Sequence, residues 1–108
     1  MIQSVSWAPD YGADARGHIW SLRYKRKLRT WAGRDGRRFV ELRVSNKMIR
    51  TTKAQVVCDA FHGPAPDGYF CHHVDGDRSN DSPENLQWVT AKEHSILHQT
   101  IPTYASLQ

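Results

Sequence analysis

Apolar positions along this chain recur with two different periods, and the change of period falls near residue 52. Before it, alternation dominates. Gly17 to Arg23 (GHIWSLR) and Arg38 to Val44 (RFVELRV) alternate apolar and polar residues, the pattern of strands with one wet face. The second run follows a turn-like Gly33-Arg34-Asp35-Gly36, and Ser45-Asn46 would turn the chain into a third short strand, Lys47 to Thr51. Together these segments predict a small antiparallel sheet whose polar face carries Arg23, Arg43 and Arg50, with Trp20 and Trp31 nearby.

From Thr52 the period becomes helical. Val56, Val57, Ala60 and Phe61 form one stripe, with Thr51 or Thr52 as N-cap and Gly63-Pro64 as the stop. A Pro- and Gly-rich loop to Gly68 leads into a strand, Tyr69 to Val74. A polar loop, Asp75 to Glu84, and a second strand, Asn85 to Val89, come next. Thr90-Ala91-Lys92-Glu93 is a capping box, so a helix begins at Ala91 and carries His94 and His98 one turn apart. The fold class is therefore α+β: a small N-terminal antiparallel sheet and helix, followed by the order strand, long loop, strand, helix.

At 108 residues the chain makes one folding unit. Mean hydropathy of −0.67 and the lack of any apolar run near the roughly 18 residues of a membrane span argue against a membrane protein. The first twelve residues have neither the basic nor the apolar region of a secretory signal. Two cysteines, Cys58 and Cys71, are too few for a disulfide framework; both read as small buried hydrophobes in a reducing cytoplasm.

Charge changes the picture more than composition does. The net charge is +4, yet residues 16 to 53 hold 13 Lys and Arg against two acids, whereas from residue 54 onward two basic residues face seven acids. The basic half suits a phosphate backbone and the acidic, His-rich half a divalent cation. The candidate nucleic-acid contacts are Arg23, Lys25, Arg26, Lys27 and Arg29 in one block, and Arg37, Arg38, Arg43, Arg50 and Lys53 in the next.

Five of the six histidines lie between residues 62 and 98. His72-His73 ends one strand and His94 begins the helix after the next, so a strand pair packed on a helix would bring imidazoles together. His62 reads as a loop-packing residue, nothing ties His18 to the site, and His98 is a secondary candidate on the face of His94. Asp75, Asp77, Ser79 and Asp81 fall at calcium-loop spacing, but Gly76 stands at the second position and Leu86 replaces the required Glu, so an EF-hand is rejected. The loop's Asp and Asn residues cap turns, and Leu86 and Trp88 lie in the core under the site.

The segment from Ala60 to His98 closely resembles the HNH endonucleases, particularly the phage and intron-encoded homing branch. The resemblance rests on His73, Asp75-Gly76-Asp77, Asn80, Asn85-Leu86, Trp88, Thr90 and a polar residue at 94. It implies a ββα-metal core over residues 63–98, after a basic strand-rich DNA-binding segment, 1–62, and before a tail, 99–108. It implies a divalent-metal-dependent endonuclease that hydrolyses phosphodiester bonds in double-stranded DNA, nicking one strand or cutting both. His73 would be the general base, Asn85 would orient it and pin the loop, and His72 and His94 would hold one cation, His94 thereby joining the catalytic set. The ion would be Mg²⁺ or Mn²⁺. Many members have Asp at the position of His72 and many homing members Asn at that of His94, and the softer imidazole pair would also admit Ni²⁺ or Zn²⁺. The expected setting is the cytoplasm of a bacterium or phage-infected host, with the protein a monomer or homodimer. Two alternatives stand beside this reading: a DNA-binding module that kept the scaffold without turnover, and a structural zinc module built from Cys71, His73, His94 and His98.

Overall fold

The computed structural model describes residues 2–93. Four short strands, β1 (Gln3–Val5), β2 (Ala8–Ala13), β3 (Ile19–Ser21) and β4 (Arg26–Lys27), form an antiparallel sheet in chain order. A second antiparallel sheet holds β5 (Trp31–Ala32), β6 (Arg38–Val44) and β7 (Lys47–Thr52). Helix α1 (Lys53–His62) follows, and then the hairpin β8 (Tyr69–His73) with β9 (Leu86–Thr90). A 3-10 turn, Pro83–Asn85, leads into β9. Among the described residues no helix is long and apolar enough to cross a membrane.

The single sheet expected from alternation is in fact two, and Arg23 belongs to neither the strand nor the sheet assigned to it. Strand β3 stops at Ser21, because residues 22–25 turn, with Lys25 in the left-handed region at φ 56°. Strands β1 and β2 escaped the sequence reading because their inward residues are few and small, chiefly Val5, Ala8 and Ala13, and a register shift after Ser4 breaks their alternation. Arg43 and Arg50 do share one face, since β6 pairs Glu41 with Arg50 and Arg43 with Met48. Trp31 joins them: it stacks on Phe39 at 6.4 Å and lies under the Arg50 guanidinium at 5.5 Å. Trp20 does not, for its indole N–H donates to Asp14 in the first sheet at 2.9 Å.

Local chemistry accounts for the turns. Ser45 and Asn46 both have positive φ, the requirement of a two-residue hairpin whose twist matches its strands. Asp14 gathers the backbone N–H groups of Arg16 and His18, each at 2.9 Å, in the turn between β2 and β3. Burial opposes ionisation of Asp14, but these bonds and that from Trp20 outweigh it and hold its carboxyl below the ordinary value. Thr52 caps α1 by accepting from the Gln55 N–H, and Gly63, at φ 83°, ends it.

One core ties the elements together. Val5, Ala8, Ala13 and Ile19 from the first sheet meet Val40 and Leu42 from the second, Val56, Val57 and Cys58 from α1, and Leu86 from β9. Helix α1 thus carries apolar surface toward all three sheets, and the hairpin shares its core with the basic half. A polar clamp adds to this: the Ser6 N–H and hydroxyl both donate to buried Asp59, at 2.7 and 2.6 Å.

Because Asp59→Ala leaves two donors of Ser6 without their acceptor, it should cost about 3 kcal/mol. Chemical denaturation of the variant, with the slope of the transition unchanged, checks this.

Candidate active site

Pairing in the hairpin is regular from Tyr69↔Thr90 to His73↔Leu86, so alternation puts Cys71 and His73 on one face of β8 and His72 on the other. His73 faces a cleft of about 320 Å³. Phe70, Cys71 and Asp81 line it beside His73, and Arg37, Arg38 and Arg78 bring three guanidiniums to its wall. Two of those arginines come from the turn and strand of the second sheet and the third from the β8–β9 loop.

His73 is bonded through Nε2 to Asp81 Oδ1 at 2.7 Å, with 10 % of one side chain and 2 % of the other exposed. Asn85 lies under the loop instead. Its amide donates to Asp75 Oδ1 and to the Asn80 carbonyl, both at 2.9 Å, and its Oδ1 accepts from the Asp75 N–H at 3.0 Å. The Asn85 carbonyl also accepts the Val74 N–H at 2.8 Å. One buried side chain therefore closes residues 74–80 against the start of β9.

Within the loop, carboxylates collect donors as turn caps do. Asn80 donates to Asp75, the Asp77 N–H adds a second bond, and Asn85 a third; these hold the Asp75 carboxyl below its ordinary value. The Ser79 hydroxyl and N–H do the same for Asp77. Across the cleft, Asp35 in the β5–β6 turn accepts from Arg37 and Arg78 at 3.4 Å each. Bonding by the Arg37 N–H, with the charges of both arginines, lowers its carboxyl as well. Lys53, half-buried at the start of α1, is pulled down by desolvation, which the nearby Asp81 charge partly offsets.

Arg23, Lys25, Arg26, Lys27 and Arg29 are exposed at the end of the first sheet, and Arg43 and Arg50 on the outer face of the second. Arg37 and Arg38 reach the cleft, and Arg38 is fixed there by bonds from its guanidinium to the Thr30 hydroxyl and carbonyl at 3.0 and 2.9 Å. His62 donates to the Pro83 carbonyl at 2.8 Å, bracing the 3-10 turn, and His18 lies beside Asp14. Leu86 is buried, and half-buried Trp88 donates to the Gly63 carbonyl at 2.9 Å. Thr90 and Glu93 form the expected capping box, each side chain accepting the other's N–H at 3.1 and 3.0 Å.

His94 and His98 lie outside the described residues. Among the described residues no group of three or more His, Cys, Asp or Glu side chains is disposed to hold a metal ion. Half-buried His72, beside His73 at the end of β8, is the described donor of the expected pair. Of the four residues of the zinc reading, Cys71 and His73 are described. The Cys58 thiol is engaged with Cys71, which together with burial pushes its pKa up, and His73 is engaged with Asp81.

Sequence reasoning missed two residues of the cleft. In sequence Asp81 is one of several turn-capping acids of the loop, and Arg78 is not among the expected nucleic-acid contacts. Nothing in the spacing marked Asp81; a hairpin closed by Asn85 was needed to fold it back onto His73.

The described site is thus a two-stranded hairpin followed by a capped helix start, with a histidine at the strand end and an asparagine locking the long loop. Residues 53–96 match the family described as HNH endonuclease. Over 39 residues the chain is 44 % identical to Protein 3.8 of Escherichia phage T7, an alignment spanning 36 % of this chain and 32 % of the phage protein. The fold is similar to that in a solved structure described as DNA binding and cleavage by the HNH homing endonuclease I-HmuI, with a TM-score of 0.79 and 21 % identity. That similarity covers 93 % of this chain and 58 % of the other, so it takes in the basic sheets as well as the hairpin.

If the Ser79 bonds hold Asp77 low, Ser79→Ala should move the carboxyl's titration midpoint, followed by NMR, up toward the ordinary 3.8. A lowered folded value contributes order above the ordinary carboxylate range, and that contribution is lost as pH falls through the lowered value.

Proposed function

We propose that this protein is a divalent-metal-dependent endonuclease that hydrolyses phosphodiester bonds in double-stranded DNA. The observation that carries the reading is His73, held by a carboxylate at the mouth of a cleft walled by Arg37, Arg38 and Arg78. An imidazole is the side chain suited to take a proton from water near neutral pH, and guanidiniums are suited to grip phosphate. The cleft thus presents a base and an anion site to one substrate group.

In this mechanism the arginines seat the scissile phosphate, and His73 removes a proton from the water that attacks phosphorus. Asn85 keeps the loop closed so that the base does not drift. His72, on the face of β8 opposite His73, and His94 are the residues expected to hold one divalent cation, which would supply Lewis-acid relief of the charge on the phosphate and the departing 3′ oxygen. Mg²⁺ or Mn²⁺ is the expected ion, with Ni²⁺ or Zn²⁺ as substitutes for a two-imidazole site. Outside the cleft, the exposed basic face around Arg43, Arg50 and Trp31, with the block from Arg23 to Arg29, would lie along the duplex. The setting that fits the phage relative is an infected bacterial cell.

His73→Ala should lower metal-dependent plasmid nicking by roughly 100-fold or more while leaving duplex binding in place. Plasmid relaxation with Mg²⁺ or Mn²⁺, with and without EDTA, reads the first and a gel-shift titration the second. Binding without cleavage by the unaltered protein would favour the inactive DNA-binding module instead. Arg50→Ala should weaken binding about equally for all sequences and reduce the slope of log affinity against log salt by about 1.

A further inference from the structure

We propose that Asp81 is a positioning residue for the base: it holds His73 in the tautomer with hydrogen on Nε2 and leaves Nδ1 as the nitrogen that takes the proton. This rests on the nuclease reading above and extends it to the choice of ring atom. A carboxylate only accepts hydrogen bonds, so the 2.7 Å contact to Oδ1 requires Nε2 to be the donor. A neutral imidazole carries one hydrogen, and its lone pair then falls on Nδ1.

The carboxylate is built into the fold rather than resting on the surface. Its side chain is 2 % exposed, and Oδ2 is buried with no hydrogen-bond partner among the described residues. The backbone on both sides is fixed. Asn85 holds the carbonyl of Asn80, and Gly17 sits so close to Asp81 that a Cβ there would fall 2.3 Å from the Asp81 carbonyl oxygen. Gly17 also has φ of +84°, a conformation that L side chains rarely adopt. The first sheet therefore presses on the residue that aims the base, although it lies outside the hairpin.

Each step balances. The water O–H bond breaks, its proton goes to Nδ1, and its electron pair forms the new bond to phosphorus. The bond from phosphorus to the 3′ oxygen breaks, and that oxygen leaves with its pair and is protonated by solvent. Asp81 takes no proton. It stabilises the imidazolium that forms, which a buried anion at hydrogen-bond distance does more strongly than water would.

Long-range ¹H–¹⁵N correlation of labelled full-length protein at alkaline pH, where imidazoles are neutral, reads the tautomer of His73 directly. The expected result is hydrogen on Nε2 in the unaltered protein. In Asp81→Asn that population should shift, and turnover of a short duplex with Mn²⁺ should fall about tenfold or more with KM within about twofold. Hydrogen on Nδ1 in the unaltered protein, or turnover of Asp81→Asn within about threefold of it, would overturn the proposal. If the variant does not fold, the tautomer of the unaltered protein decides alone. If the unaltered protein cleaves no DNA with either metal, the nuclease reading fails, and the tautomer still shows whether Asp81 holds Nε2.

Discussion

The amide of Asn85 is the constraint on which the site depends. A twelve-residue excursion between β8 and β9 has many conformations open to it, and closing it costs backbone entropy. Asn85 spends both ends of its side chain on that closure, donating to Asp75 and the Asn80 carbonyl and accepting from the Asp75 N–H. With the loop closed, Asp81 is delivered to His73, and Arg78 to the wall of the cleft. Buried polar networks of this kind rigidify only when complete, since a half-satisfied one leaves desolvated groups unpaired.

The basic half is more than an electrostatic appendage. It meets the hairpin at three polar or steric points besides the shared core: Asp35 with Arg78, Gly17 against Asp81, and His62 at the end of α1 on the Pro83 carbonyl. Two of the three cleft arginines also come from it. On the proposed function, a DNA strand lying along that half would be fixed relative to His73, and such orientation lowers a barrier without new chemistry.

How much of this the residues announced depends on whether local or distant chemistry fixed each feature. The β6–β7 turn, α1 and the capping box were legible because their signals are local: Ser45-Asn46 after an alternating run, Thr52 before a helical stripe, and Thr90 with Glu93 three residues apart. Strands β1 and β2 were not, because small residues interrupted by a register shift leave no alternation to read. The split into two sheets was equally hidden, since it depends on the turn after Ser21 and on α1 filling the space between them. In the site, His73, Asn85 and Arg38 were marked by residue type and motif. Asp81 could not be separated from its acidic neighbours, because its role exists only once the loop has folded back. His94 and His98, on which the expected cation also rests, lie outside the described residues.

Chemical rescue tests the central claim, that the His73 imidazole takes the proton from the attacking water, more directly than loss of activity does. His73→Gly removes the ring and leaves space beside Asp81 that free imidazole fits. The expected result is that the variant is inactive with metal and DNA alone and regains cleavage in proportion to added neutral imidazole. Cleavage by the variant without imidazole at the rate of the unaltered protein would contradict the account.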